Sequence, residues 1–142
     1  MTLATRPALS LLAPLLFAFA ALAPTVASSQ EPEMSMVSIY RIAPGKHLEF
    51  LRWQAARDAA AAEAGVPVNE WYAHVDGDSW DYISIGPMTT KDQDDKIEAI
   101  LKGKKLTTGF KAGLELRTLM SSHTDTLTRG PTTAAALVEA GK

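Results

Sequence analysis

Residues Tyr40-Arg41-Ile42-Ala43-Pro44-Gly45-Lys46-His47-Leu48-Glu49-Phe50 constrain this chain more than any other stretch. Ser35 to Ile42 reads as a strand: Val37 and Ile39 point one way and Met36, Tyr40 and Ile42 the other, since side chains alternate along extended backbone. Both sets are apolar, so both faces of the sheet are expected to be covered. Pro44 has no N–H to give a ladder and ends the strand. A helix over Lys46 to Ala64 follows at once. Its apolar face is expected to be Leu48, Leu51, Ala55, Ala59 and Ala62, widened by Phe50 and Trp53, with Arg52, Arg57, Asp58 and Glu63 in water. Gly65 and Pro67 stop it.

The remaining elements follow from local signals. Asn69 to Asp76 and Trp80 to Gly86 read as a hairpin. A two-residue loop sets Val75 opposite Trp80. A three-residue loop of Gly77, Asp78 and Ser79 sets His74 opposite Tyr82 and is preferred. It gathers Trp71, Ala73, Val75, Ile83 and Ile85 on one face and Tyr72, His74, Trp80 and Tyr82 on the other. Thr89 or Thr90 caps a helix from Lys91 to Lys102, with Asp92, Asp94 and Asp95 at its positive end. Thr107 or Thr108 starts another, from Gly109 to Met120, expected to bury Phe110, Leu114 and Met120. Ser122 to Thr128 is a final strand, and Thr132 or Thr133 caps a short tail helix ending at Ala140.

The N-terminus has the layout of a secretory signal: Arg6, an apolar run from Ala8 to Ala23, then small residues at Ala27, Ser28 and Ser29. The run is shorter than the roughly 20 residues of a spanning helix. Residues 1–29 are therefore expected to be removed on export to the periplasm or the exterior, leaving one domain at 30–142 and no membrane association. No cysteine follows the run, which excludes a lipid anchor, and none is available for a disulfide. The removed segment holds one basic residue and no acid, so the formal charge moves from −2 to −3. That balance gives no electrostatic footprint for nucleic acid.

Strand, helix, strand, strand, helix, strand is the split βαβ order of an α+β, ferredoxin-like fold with an antiparallel sheet. Helices on one face leave the other bare, and that face is expected to hold Met36, Tyr40, Ile42, Tyr72, His74, Trp80 and Tyr82. So large an aromatic patch calls for a second copy laid against it.

The pattern Tyr40-x-Ile42-x-Pro44-Gly45-Lys46-x-x-x-Phe50 resembles the first strand-turn-helix of the dimeric α/β-barrel superfamily, which includes NIPSNAP-like and antibiotic-biosynthesis-monooxygenase-like domains. The resemblance covers about residues 35 to 128, by element order more than identity. It implies a homodimer whose sheets enclose a central or lateral cavity. Members include heme-degrading enzymes, cofactor-free oxygenases of aromatic substrates, and many domains without known activity. The heme-degrading branch depends on an Asn on the barrel face with a Trp and a His. Here the only Asn is Asn69, at the mouth of the second strand, so the chain departs from that pattern.

Two His-x-Asp pairs, His74-Val75-Asp76 and His123-Thr124-Asp125, carry the candidate chemistry. An imidazole beside a carboxylate serves as a tuned base or a metal ligand pair. The plainer reading makes Asp76 a turn opener and Asp125 a solvated carboxylate. The two pairs sit on opposite sheet edges, so no metal site is expected. His74 is the candidate proton-transfer residue. Tyr40, Tyr72, Trp80, Tyr82 and His123 are the candidate lining of a site for a small hydrophobic ligand, or else the core of the dimer. Lys102, Lys104 and Lys105 lack phosphate-loop spacing, and no nucleophile elbow, dinucleotide glycine motif or carboxylate pair occurs, so no cofactor is implied. The expected function is an exported small-ligand-binding or accessory domain; the alternative is a cofactor-free monooxygenase or isomerase.

Overall fold

A computed structural model describes residues 34–142 apart from residue 78. The expected signal peptide, the leader that follows it and Asp78 of the expected hairpin loop lie outside the described residues. The elements are β1 (Met34–Ile42), α1 (His47–Glu63), β2 (Glu70–Ala73), β3 (Tyr82–Pro87), α2 (Lys91–Gly103), α3 (Gly109–Leu119), β4 (Met120–Arg129) and α4 (Ala134–Ala140). The strands form one antiparallel sheet in the order β2-β3-β1-β4. This is the ferredoxin-like arrangement expected from the order of elements. No helix among the described residues is long and apolar enough to cross a membrane.

Local signals act where the sequence puts them. The Pro44-Gly45 turn needs a left-handed residue, and Gly45 supplies it at φ 76°. The Lys46 N–H then closes the turn on the Ala43 carbonyl at 3.0 Å. At the far end of α1, Gly65 at φ 75° lets the Val66 N–H reach back to the Ala61 carbonyl at 2.9 Å, a Schellman closure. Thr90 and Gln93 form a reciprocal capping box that starts α2.

The faces are partitioned differently from the expectation. Tyr40 and Ile42 belong to the helix-covered core with Phe50, Leu119 and Met120, and Trp53, Trp71, Tyr82 and Leu116 pack against it. Tyr40 lies 5.0 Å from the Phe50 ring and 5.8 Å from Trp71; Tyr82 stacks on Phe50 at 5.8 Å. The hairpin register pairs Ala73 with Tyr82 and Trp71 with Ser84, and the His74 N–H continues it to the Asp81 carbonyl at 2.9 Å. This is the alignment of the two-residue loop, one step from the preferred one. A one-residue slip exchanges the faces of a strand. Trp71 and Tyr82 therefore turn together to the helices, and Tyr72, Ile83 and Ile85 turn to the other side. Two large rings buried under α1 remove more apolar area from water than the isoleucines would in their place.

The face of α1 is corrected for the same reason. Phe50, Gln54 and Ala60 are buried, while the Leu48, Leu51, Ala55, Ala59 and Ala62 stripe is exposed, Leu48 by 59%. Alanines add little area, so the Phe50 and Trp53 rings decide the docking. Arg57 and Asp58, expected in water, are half-buried and satisfied. Arg57 lies over the Trp53 ring, 3.1 Å from its centroid, and donates to the Thr107 carbonyl at 3.0 Å. Burial lowers its pKa, opposed by the Glu115 charge. Asp58 accepts from the Trp71 indole at 2.9 Å, joining α1 to β2. On α3 the buried residue is Leu119; Phe110 and Leu114 are exposed, and Met120 is buried as the first residue of β4.

Two outcomes follow. Phe50→Ala is expected to cost about 3–5 kcal/mol in denaturant unfolding, and Leu48→Ala less than about 0.5 kcal/mol; comparable losses would contradict the assignment of α1's buried face. Burial raises the Asp58 carboxyl pKa, against the lowering effect of its hydrogen bonds with Trp71 and the Asn69 backbone. The native state then keeps this proton after the unfolded chain has released it. Asp58 therefore favours folding at low pH and loses that contribution as pH rises through its folded pKa. Asp58→Asn, which retains an acceptor for Trp71, should be at least as stable as wild type at neutral pH. Its advantage should vanish on acidification.

Candidate functional site

With the rings of Tyr40 and Tyr82 under the helices, strand alternation gives the other sheet face Val37, Ile39, Arg41, Tyr72, Ile83, Ile85, Ser122, Thr124 and Thr126. Val37, Ile39, Ile83 and Ile85 are half-buried there. An open depression of about 400 Å³ lies at one end of the sheet, lined by Ile39, Arg41, Trp80, Ser122, His123 and Thr124. Its volume falls within the range of small-molecule sites.

Two backbone devices build that end. Asp81 clamps the end of β1: its N–H donates to the Tyr40 carbonyl at 2.8 Å, and its carboxylate accepts from the Ile42 N–H at 2.6 Å. This holds the preceding residue, Trp80, beside Ile39 and Arg41. On the opposite edge, β1 and β4 shift register between Arg41 and Ile42, leaving Ser121 as an extra residue. Its hydroxyl donates to the Arg41 carbonyl at 3.1 Å. Such bulges re-aim side chains at the ends of sheets.

The sequence candidates do not converge. Trp80 lines the depression. Tyr72 is on the same face but on edge strand β2, half exposed, and its phenol donates to Glu70 at 3.1 Å. That hydrogen bond, with the Glu70 charge, raises the phenol's pKa. Tyr40 is buried in the core. Tyr82 is on the helix side, where His47 meets its ring edge-on at 6.0 Å. His123 also borders the depression, but it pairs across the ladder with Tyr40 and stacks on it at 6.2 Å, so its ring is on the helix side.

The two His-x-Asp pairs separate in kind. His123 Nε2 lies 3.2 Å from the Asp125 carboxylate, so this pair is formed. Asp76 instead accepts from the Gly77 N–H at 2.8 Å and opens the turn. His74 packs on Trp80 at 5.0 Å, and its Nε2 is buried without a hydrogen-bond partner among the described residues. β2 and β4 are the two edges of the sheet, so one chain does not bring the pairs together. No group of three or more potential metal ligands occurs among the described residues. Asn69 is also away from the open face: its side chain occupies the space over Gly86, on the helix side of β3.

Sequence reasoning passed over Arg41, Ile39, Ser122 and Thr124. Alternation from Ile42, assigned to the core with Phe50, would have placed Arg41 on the open face.

The fold and this site define a class: an α+β ferredoxin-like domain with one sheet face under helices and the other open, carrying a depression at its end. No family model and no curated protein matches the chain. Solved structures are similar to it. SnoaB, a cofactor-independent oxygenase from Streptomyces nogalater, matches in a variant form at 21% identity over 72% of this chain and 97% of its own, with a TM-score of 0.49. A NIPSNAP family protein from Agrobacterium tumefaciens matches at 18% identity over 71% and 94%, with a TM-score of 0.45. A dimeric protein of unknown function and ferredoxin-like fold from Bacteroides fragilis matches at 13% identity over 68% and 95%, with a TM-score of 0.40. These are likenesses of fold.

The Asp81 clamp makes its own prediction. Asp81→Ala leaves the Ile42 N–H without its acceptor, at a cost of about 1–3 kcal/mol. Amide exchange at Ile42 should accelerate selectively, while Met34 to Ser38 keep their protection. Uniform acceleration along β1 would show that the clamp does not define this end.

Proposed function

We propose that this chain is an exported homodimeric domain that binds a small hydrophobic ligand between its two paired sheets. The observation that carries this is the open face itself. Val37, Ile39, Ile83 and Ile85 form an apolar patch that stays partly exposed among the described residues, and a depression with an aromatic wall opens at its end. A second copy laid sheet to sheet buries the patch and roofs the depression with the same surface, as a two-fold interface requires. The export half of the reading rests on the N-terminal segment. Its test is N-terminal sequencing of the exported protein, expected to begin after Ala27 or Ser29.

Sedimentation of the purified protein tests the pairing. A dimer is expected at micromolar concentration. Ile39→Glu or Ile85→Glu should shift it to monomer with unchanged far-UV circular dichroism, because each puts a charge into the dry centre. A wild-type monomer at these concentrations would refute the pairing.

A second reading is favoured by one observation, the buried and unpartnered His74 Nε2 beside Trp80. A ring nitrogen without a protein partner next to an aromatic wall can take a proton from a bound aromatic substrate. That is the first step a cofactor-free oxygenase or an isomerase needs. Solvent deuterium exchange at the acidic C–H of an aromatic ketone, catalysed by the protein and lost in His74→Ala with the fold intact, is the outcome this reading expects. Undiminished exchange in the variant rejects it.

A further inference from the structure

We propose that the ligand is an aromatic acid and that Arg41 receives its carboxylate. This rests on the reading of the depression as a binding site and adds the chemical class of its occupant.

Among the described residues lining the depression, Arg41 is the one with a permanent positive charge, and none carries a carboxylate. Among the described residues Arg41 makes no ion pair. The acid on the same face is Glu70, which pairs through Ile85 to Val37, four residues back along β1. That puts it about 13 Å along the strand and two strand spacings of about 4.8 Å away, and it already accepts from Tyr72. Asp81, although adjacent to Trp80, has its carboxylate turned to the Ile42 N–H. Asp125 pairs with His123 on the helix side. Among the described residues, the guanidinium therefore has no counter-charge.

Its position is built. The backbone around Arg41 is fixed on both sides, by the Ser121 hydroxyl on the Arg41 carbonyl and by the Asp81 carboxylate on the next N–H. The register shift at that residue sets its direction. The rest of the lining matches one kind of molecule. Trp80 and Ile39 offer an aromatic and an aliphatic surface to a flat apolar body. Ser122 and Thr124 offer hydroxyl donors to an oxygen. A guanidinium presents two parallel N–H groups at the spacing of a carboxylate, and a charge-assisted pair of this kind gains most beside apolar walls.

The test compares two probes of nearly the same shape, one anionic and one neutral, naphthalene-2-carboxylate and naphthalene-2-carboxamide. Each is titrated calorimetrically into purified wild-type, Arg41→Gln and Arg41→Lys protein, with sedimentation of each variant as the control for assembly. The acid is expected to bind wild type about 10- to 100-fold more tightly than the amide. Arg41→Gln should bring the acid down to the amide's affinity and leave the amide unchanged. Arg41→Lys, which keeps the charge but not the fork, should fall between. Equal binding of both probes to wild type, unaffected by Arg41→Gln, overturns the acid assignment and leaves the cavity reading standing. Binding of neither probe overturns the cavity reading and this inference with it. A variant that loses both probes together with the dimer makes Arg41 an interface residue and also overturns it.

Discussion

The packing of Tyr40 against Phe50, Trp71 and Tyr82 is the interaction on which the rest of this structure depends. Four rings from β1, α1, β2 and β3 meet with centroids 5.0 to 6.1 Å apart. Aromatic pairs at such separations add to the area they bury. Their first consequence is to dock α1 by its Phe50 side. Their second is to choose which face of each strand the helices cover. Once Tyr40 and Tyr82 are inside, alternation sends Ile39, Arg41 and Ile83 outward without further choice.

The open face is therefore a product of the core. Its centre is apolar, at Val37, Ile39, Ile83 and Ile85, and its end holds Trp80 and Arg41, which makes no ion pair among the described residues. Hydrogen bonds from Asp81 and Ser121 hold the backbone at this end, and His74 packs on the Trp80 ring. A face of this kind suits two occupants together, a second sheet over its centre and a small molecule at its end.

The parts of this fold that local chemistry decides could be read from the residues. Pro44-Gly45 and the Gly65 stop bound α1, and Thr89 or Thr90 marks the start of α2. The order of elements then leads to the sheet topology. What could not be read was the assignment of faces. β1 is apolar on both sides, so its alternation carries no direction. In the hairpin, a loop of two residues or three decides whether Trp71 shares its face with Tyr82 or with Ile83. On α1, five regularly spaced leucines and alanines outnumber Phe50 and Trp53, but the two rings bury more surface. Each of these is a tertiary decision, made by which large side chains find one another. The lining of the depression followed the same course: Trp80 was legible as an aromatic, whereas Arg41 stands out only by its position on the open face.

The chain has no cysteine of its own, which makes thiol labelling the most direct test of the central claim, that the face opposite the tyrosines is covered by a second copy. Single cysteines would be placed at Val37 on the open sheet face and at Leu48 on the outer side of α1, and their rates of modification followed against protein concentration. The account predicts that Val37→Cys is protected at high concentration and becomes reactive on dilution, while Leu48→Cys reacts fast throughout. A Val37→Cys that reacts at the same rate at every concentration would contradict it.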